Sequence, residues 1–371
     1  MKKSILVLFA FFSFGGFSCL NLYFSVDHEG HLHEITDFHE SFRRFNKNFN
    51  LEEIQDQLEE LQADIQVEGN YKLLSDYAVL LMKAGKVELS RDLLLSLYRE
   101  YPEEYQLAAN LGTAYELCGQ VDSALKYIEK GIELNPNAHR GSEWVHTRIL
   151  KTKQQLAIDS SYLEQNSVLK LSEEDEKDSM ILQQILIQVH ERFPFSPGPI
   201  DPIMASILVD LGDCFANNIS IEYAKSMYSL ARDYYGDYSM ATQTKINLMS
   251  TKRNDFDSIY PSKDDNPMGD VIKLSPLSQS KFLKDNNKNN FEMDWTKLQL
   301  NQDTLLSWVN IEPYLVDLSD TAVVDTLETI HESTEINDNL EHDNNYWMWI
   351  TIIAFLFLLV LIIRYRKKRN T

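Results

Sequence analysis

The chain has 371 residues and a formal net charge of −21, from 35 Lys and Arg against 56 Asp and Glu. This acidic balance argues against a nucleic-acid-binding protein, because such proteins need basic surface to neutralise phosphates. The sequence also lacks a Gly-rich phosphate loop and the Gly-x-Ser-x-Gly, His-Glu-x-x-His and Cys-x-x-Cys motifs. It therefore carries no recognisable signature of an enzyme.

Residues 1–19 have the outline of a secretory signal. Lys2 and Lys3 precede the apolar run Ile5–Phe14, and small residues follow up to Cys19. Two alternatives stay open at this point: plain cleavage near Ser18, or attachment of a lipid to Cys19 as in bacterial lipoproteins. Both predict that the rest of the chain is exported.

Residues 20–50 are expected to form an N-terminal arm that is rich in histidine and glutamate. Imidazole and carboxylate groups are common metal ligands, so these side chains are candidates for a metal site. Their spacing fits no zinc module and no cysteine lies among them, so we expect an ordinary exposed arm. The candidates are His28, His31, His33 and His39, with Glu29, Glu34 and Glu40.

Residues 51–250 predict an all-α domain. Its first helix, Leu51–Val67, has apolar residues on one face and glutamates on the other, which suits a helix that covers the end of a stack. Two helix pairs follow, in residues 71–104 and 105–138. Pro102 and Pro136 end these pairs and are 136 − 102 = 34 residues apart.

The pair in residues 105–138 is the clearest. Apolar spacing predicts helices over about Tyr105–Leu117 and Val121–Leu134, with Gly119 ending the first and Pro136 the second. A third copy of the same frame spans residues 205–238. Its matching residues are Leu208, Leu211, Gly212, Phe215, Ala224, Tyr228 and Ala231, with Gly236 in place of the terminal proline.

This frame resembles the tetratricopeptide repeat (TPR), in which small residues at fixed offsets let two helices approach closely. In the second copy the residues that carry the resemblance are Leu111, Gly112, Tyr115, Ala124 and Pro136. The copies depart from the family pattern at Ala108, Ile128 and Gly131 in the second and at Ser90 and Leu97 in the first.

The resemblance implies a right-handed stack of helix pairs, or α-solenoid, with a concave groove that binds a peptide or a helix of a partner. The Lys and Asn pattern by which some TPR proteins hold a C-terminal carboxylate is absent, so apolar and mixed polar contacts are expected. On the family pattern the first helix of each pair lines the groove. These positions are Lys72, Ser75, Val79 and Met82, then Gln106, Ala109, Thr113 and Glu116, then Ser206, Val209, Asp213 and Ala216.

Between the second and third copies, the segment after Pro136 predicts the start of a divergent fourth repeat. Its first helix begins after Ser142, a candidate N-cap, and buries a stripe that includes Trp144. His139, Glu143 and His146 lie one turn apart, but histidines beside a core tryptophan indicate packing and hydrogen bonding more than metal binding. Further helices are predicted at Ser179–Arg192 and near Ser239–Ser250, separated by the Pro-rich link Phe193–Pro202.

Residues 251–345 predict an acidic, mostly disordered linker. Asn, Asp, Ser and Lys dominate its first part, and apolar residues come in short pieces without periodicity. Between Lys297 and Arg364 there is no Lys or Arg. The pieces Phe291–Leu300 and Leu305–Val316 are either docking motifs or transient local structure, and the sequence leaves both alternatives open.

Residues 346–363 are predicted to span the membrane. Trp347–Ile363 is uncharged and almost wholly apolar, and at about 1.5 Å per residue it covers roughly 25 Å, slightly less than a hydrocarbon core. Aromatic residues precede it, and the basic tail 364–371 follows, which the positive-inside rule assigns to the cytoplasm. The signal and the span together predict a single-pass protein of the cytoplasmic membrane whose repeats face the periplasm or exterior.

These features predict a membrane-anchored, extracytoplasmic TPR scaffold or adaptor that binds other envelope proteins or peptides, with no cofactor and no catalysis. Cys118 and Cys214 fall inside helices of different repeats, so we expect buried thiols and no disulfide. The alternative is an exported metal-binding protein or metal-dependent hydrolase that uses His28, His31 and His33.

Overall fold

The computed structural model describes residues 24–34, 51–196, 200–259 and 291–313, and these ranges are predominantly α-helical. The predicted all-α class is thereby confirmed for this part of the chain. None of the helices within it is long and apolar enough to cross a membrane. The predicted signal (1–19), membrane span (346–363) and basic tail (364–371) lie outside the described residues.

Helices predicted from the apolar periodicity are present with nearly the predicted bounds, and those of the pair in 105–138 agree residue for residue. The first six are α1 (Leu51–Glu68), α2 (Tyr71–Lys83), α3 (Val87–Glu100), α4 (Tyr105–Leu117), α5 (Val121–Leu134) and α6 (Glu143–Ile158). The next five are α7 (Glu173–Lys177), α8 (Ser179–Arg192), α9 (Pro202–Asn218), α10 (Ile221–Asp233) and α11 (Met240–Ile259). Since α11 continues to Ile259, the helical domain extends beyond the predicted limit at residue 250.

Consecutive helices pack on one another from α1 to α6 and again from α8 to α11. The turns inside the first two pairs have the same geometry. Gly85 and Gly119 have φ of +85° and +77°, a left-handed conformation that glycine adopts without strain. The residue after each glycine donates its backbone N–H to a carbonyl five positions back, at 2.8 Å from Lys86 to Leu81 and 2.9 Å from Gln120 to Tyr115. The two pairs therefore share the same connection between their first and second helices.

In the second and third copies, the close approach of the two helices depends on a glycine in the first helix. A Cβ atom on Gly112 would lie 2.7 Å from the Ile128 side chain and 3.0 Å from its backbone nitrogen. In the third copy, a Cβ atom on Gly212 would overlap the Tyr228 ring. Both contacts join signature positions, so the small residue sets the distance between the helices.

The buried apolar residues form two large clusters and a small one between them. One large cluster lies among α1–α4, and the other among α6 and α8–α11. The small cluster contains Ala124, Ile128 and Leu150 of α5 and α6. The middle of the stack therefore has the thinnest apolar core.

An antiparallel hairpin, which the sequence pattern does not predict, forms within the N-terminal arm. Strand β1 (Phe24–Val26) pairs with β2 (Leu32–Glu34), with Ser25 opposite His33. The hairpin lies on the far end of the stack: the backbone N–H of His28 donates to the Ala216 carbonyl of α9 at 2.9 Å, and the Ser25 hydroxyl to the Ser220 hydroxyl at 2.6 Å. This part of the arm is a packed element.

Residues 291–313 correct the expectation of a linker without stable structure. They form a 3₁₀ turn at Trp295–Lys297 and a short helix, α12 (Gln302–Trp308), and they pack against the cluster of α1–α4. The segment packs on helices of its own chain, and its role as a docking motif for a partner stays a prediction. Its apolar residues are unperiodic because they are anchors placed singly along the segment.

The two cysteines predicted to be thiols are both free. Cys214 is buried in α9, and Cys118 is half-buried at the end of α4. Burial raises the pKa of both thiols. A raised pKa disfavours the thiolate, so neither side chain is primed for disulfide exchange.

We expect two glycine substitutions in the second pair to have opposite effects. Gly112→Ala should lower the free energy of unfolding by about 1–3 kcal/mol, because the added methyl group overlaps Ile128. Gly131→Ala should raise it by about 0.5–1 kcal/mol, because its methyl group would stand 3.5–3.6 Å from its nearest neighbours and alanine loses less backbone entropy. Urea denaturation followed by circular dichroism measures both, and effects of the same sign would contradict the close approach at Gly112.

Candidate functional site

A groove of about 340 Å³ lies between α2 and α4, the first helices of the first two pairs. Five predicted positions line it together: Lys72, Ser75, Val79, Gln106 and Ala109. They come from different repeats but meet because α2 and α4 occupy equivalent places in the repeat frame. For these two copies the structure brings the first part of the predicted groove into one place.

Polar and apolar groups alternate in this groove. The Asn110 amide of α4 donates to the Ser75 hydroxyl of α2 at 3.2 Å, which joins the two walls. At one end, the Tyr71 hydroxyl donates to Glu104 at 2.8 Å, and its ring stacks on Tyr101 with centroids 4.2 Å apart. The groove thus offers apolar side chains together with amide and hydroxyl groups. This combination suits an extended peptide, whose backbone needs hydrogen-bond partners.

His139 enters the groove from an unusual turn. Residues 139–141 all have left-handed backbone conformations, with φ of 49° at His139, 61° at Arg140 and 70° at Gly141. Side-chain partners hold this turn, because the Gln184 amide donates to the Arg140 carbonyl at 2.9 Å. Strained residues persist where surrounding contacts fix them, and they are frequent at binding sites. The sequence does not place His139 in the groove, since nothing local signals a left-handed histidine.

The candidate ligands His139, Glu143 and His146 contact each other, and His146 also contacts Glu116 of α4. His139 Nδ1 lies 2.6 Å from Glu143 Oε1, and this hydrogen bond raises the pKa of His139. On the other side, His146 Nδ1 lies 3.8 Å from Glu143 Oε2. Ser142 occupies the predicted N-cap position of α6, but its hydroxyl makes no capping hydrogen bond. It accepts from the Gln188 amide at 3.0 Å.

Glu116, the last predicted groove position of the second copy, is buried and is not part of the open groove. Its carboxylate contacts three cationic or protonatable groups: His146 Nε2 at 2.6 Å, Arg192 at 2.7 and 3.1 Å, and Lys153 at 2.7 Å. Burial alone would raise the pKa of Glu116, but Arg192, His146 and Lys153 outweigh it and hold the pKa well below its usual value. Glu116 therefore joins α4 to α6 and α8 and offers nothing to a ligand.

Two further predicted positions point away from a ligand. Met82 is buried in the core of the first pair. Thr113 is half-buried, and its hydroxyl donates to the Ala109 carbonyl at 3.1 Å. The open groove is shorter than the family pattern implies.

The predicted groove positions of the third copy are covered by other parts of the chain. The backbone N–H of Val168 donates to the Ser206 hydroxyl at 2.9 Å, and the N-terminal hairpin lies on Ala216. Asp213 accepts hydrogen bonds from Tyr228 at 2.8 Å and from Lys245. Val209, the remaining position, packs partly against the larger core cluster. Segments that are far apart in sequence occupy this face, so the groove predicted there is not open.

A larger cleft of about 1020 Å³ lies between α5, α6 and residues 162–170. Arg148, Lys151 and Lys170 line it, with Glu129 as the acidic residue in its wall. Lys151 lies 3.3 Å from Glu129 at the surface, where such pairs are weak. The cleft is open and basic in an otherwise acidic protein.

The hairpin histidines gather around one carboxylate. His33 Nε2 lies 2.8 Å and His31 Nδ1 3.1 Å from Asp27, while His28 lies 3.0 Å from the Ala216 carbonyl. Burial would raise the pKa of Asp27, but hydrogen bonds from His33, His31 and the backbone lower it. Within the described ranges, no group of three or more His, Cys, Asp or Glu is arranged to hold a metal ion. The remaining candidates, His39 and Glu40, lie outside those ranges.

No family model, no curated protein and no solved structure matches this chain. Its function therefore has to follow from its own residues and their geometry.

Replacing the Glu116 carboxylate should destabilise the protein at pH 7. We expect Glu116→Gln to lower the free energy of unfolding by about 3–5 kcal/mol, because Arg192 and Lys153 lose their buried counter-charge. The matched control is Glu129→Gln at the surface, for which a change within about 0.5 kcal/mol is expected. Equal changes in the free energy of unfolding at the two positions would show that the Glu116 contacts stabilise the protein no more than a surface ion pair does.

The same cluster predicts acid sensitivity. A carboxyl whose pKa is lowered on folding contributes stability above its unfolded pKa and loses it as the pH falls through the folded value. The pKa of Glu143 falls from 4.5 to about 2 despite its burial, through His139 and His146, and that of Glu116 is lowered as well. The free energy of unfolding should therefore drop between pH 4.5 and about pH 2, less steeply in Glu116→Gln. Urea denaturation across this pH range measures the free energy of unfolding. Equal pH dependence in the wild type and in Glu116→Gln would contradict the role given to the Glu116 carboxylate.

Proposed function

We propose that this chain is a TPR-type adaptor that binds a segment of a partner protein in the groove between α2 and α4. The observation that carries the proposal is the meeting of equivalent positions from two successive helix pairs on one open surface. Support for the TPR assignment comes from the shared turn geometry and from the glycine contacts with Ile128 and Tyr228 at signature positions. Stacks of such pairs are binding architectures, because their first helices line a continuous face.

The ligand that best suits this groove is an extended peptide. Val79 and Ala109 give it apolar contact, and Gln106, Asn110 and Lys72 supply polar groups around them. A peptide in this position satisfies its backbone groups on amides and its side chains on the apolar residues. The proposal is one of binding only, without catalysis.

Location in the envelope membrane is the second half of the proposal. The signal-like residues 1–19 and the apolar stretch 346–363 would deliver the chain and anchor it, with the repeats on the outer side. Residues 314–345 separate the docked segment from this stretch. At about 3.3–3.6 Å per residue this connection reaches at most roughly 110 Å, so the groove would work within that distance of the anchor. Tethering raises the local concentration of other membrane-bound partners, so a modest affinity suffices.

The groove assignment predicts loss of binding when its surface is made acidic. Lys72→Glu combined with Val79→Glu should reduce recovery of partner proteins from detergent-solubilised membranes at least tenfold, because the first substitution reverses a charge of the groove and the second puts a charge in place of apolar contact. The matched control is Lys126→Glu with Val67→Glu, which makes the same chemical changes at exposed positions outside the groove. Circular dichroism establishes that both variants keep their helices. Equal recovery by wild type and the groove variant, compared by quantitative mass spectrometry, would refute the site.

The membrane assignment predicts a change of cell fraction. A chain without residues 346–371 should move from the membrane pellet to the soluble exported fraction, because the apolar anchor is gone. The control is the same truncation with Cys19→Ala. If only this second variant becomes soluble, the anchor is a lipid on Cys19, and the predicted span is not needed.

A further inference from the structure

Residues 291–313 are bound to the first three helices by a few apolar anchors. Leu305 and Leu306 of α12 are fully buried, and Leu298 and Ile311 are buried on either side of them. All four belong to the apolar cluster that includes Ile54, Leu58 and Ile65 of α1. The rest of the segment is half-buried or exposed. The segment thus contacts the stack as a ligand contacts a receptor, through separate side chains.

Side chains of the stack also recognise the backbone of this segment. The amide of Gln62 on α1 accepts from the Gln299 N–H at 2.5 Å and donates to the Lys297 carbonyl at 3.3 Å. Gln55, two turns earlier on α1, accepts from the Asp294 N–H at 2.7 Å. The Tyr77 hydroxyl of α2 donates to the Gln299 carbonyl at 3.2 Å. These side-chain hydrogen bonds to the backbone of residues 294–299 fix the position of the segment along α1 without a neighbouring strand.

The two tryptophans mark the ends of the contact. The ammonium of Lys86 lies 4.5 Å from the centroid of the Trp295 ring, within range of a cation–π interaction. At the other end, the Trp308 carbonyl approaches Gly69 so closely that a Cβ atom there would overlap its oxygen. The surface is therefore shaped to the segment over its whole length, from α1 to the turn before α3.

We propose that α1, α2 and α3 form a second protein-binding surface whose resident ligand is this chain's own segment 291–313, and which exchanges that segment for a copy supplied in trans. The side chains that bind the segment's backbone, those of Gln55, Gln62 and Tyr77, are not among the groove residues, so the inference goes beyond the proposed function. The pattern that the surface recognises is Trp295, Leu298, the pair Leu305–Leu306, Trp308 and Ile311.

Exchange follows from the balance of contacts. Four buried anchors must offset the entropy lost in ordering the whole segment, so its bound state is only moderately favoured. The covalent connection of the segment to the stack favours the bound state further, because a ligand on the same chain acts at a high effective concentration. Residues 260–290 reach up to about 110 Å when fully extended, which is long enough for the segment to bind either its own stack or that of a second copy.

A synthetic peptide of residues 291–313 tests the proposal on the full-length protein. Leu305→Asp with Leu306→Asp removes the anchors of the resident segment and leaves its receptor surface unchanged. The fluorescently labelled peptide should bind this variant at least tenfold more tightly than it binds the wild-type chain, where the resident segment competes. The same peptide carrying both aspartates should bind neither chain.

A receptor-side variant separates specific binding from general stickiness. Adding Gln62→Ala to the double-aspartate chain should weaken peptide binding at least threefold, because two backbone hydrogen bonds are lost. The matched control is Gln66→Ala, an exposed glutamine on the same helix, which should leave the affinity unchanged. Equal affinity of wild-type and double-aspartate chains, or no effect of Gln62→Ala, would overturn the proposal.

A cleavage experiment keeps the test independent of those substitutions. With a specific protease site placed within residues 260–290, the cut C-terminal piece should stay with the stack in detergent only at high protein concentration, because the cut removes the high effective concentration, and excess peptide should release it. Retention of the piece at saturating peptide, or loss of helix by the double-aspartate chain, would mean that residues 291–313 are an inseparable part of the core.

Discussion

A row of helix pairs buries the apolar face of each pair only against the next one, so its first and last helices are left with one uncovered side. This chain closes both ends with segments from the opposite end of the sequence. Residues 291–313 cover α1–α3, and the hairpin of β1 and β2 covers the side of α9–α11, where Gly30 packs against Phe256. Both covers use few apolar residues and several hydrogen bonds, as suits segments that lie on a surface.

The middle of the row is held in a different way. The two large apolar clusters are separated there, and a buried carboxylate, Glu116, connects α4 to α6 and α8. Taking charges out of water costs free energy, so a complete network of this kind adds little net stability and is costly to break. Its contribution is geometric, because a carboxylate with three partners permits few relative positions of those helices. The groove next to it inherits this fixed geometry through His139 and Glu143.

Local signals in the sequence were enough to predict the longer helices, whereas the short helices α7 and α12 were not predicted. Gly119 and Pro136 mark helix ends whatever lies around them, and the apolar stripes of α4 and α5 need only one neighbour. The groove was predictable in part, since Lys72 and Gln106 depend only on the repeat frame. The covering of the third copy's groove positions was not predictable, because Ser206 and Ala216 are covered by residues that are distant in sequence. The hairpin was missed for the same reason: Ser25 finds its partner 195 residues away. Segment 291–313 resembles a linker in sequence because its anchors have no period of their own.

The packing of the N-terminal hairpin on α9–α11 and of residues 291–313 on α1–α3 also determines when folding can finish. The hairpin is synthesised first, yet His28 and Ser25 make their contacts with residues 188 and 195 positions later. Chains that depend on such distant contacts fold slowly, since the loop must close before any contact stabilises it. During synthesis, which begins at the N-terminus, β1 and β2 have no partner surface until α9–α11 have been made, while the helix pairs between them can already form. The order of synthesis therefore leaves the first strands of this protein to be among the last elements to pack, and that interval is when the chain is most exposed to aggregation and proteolysis.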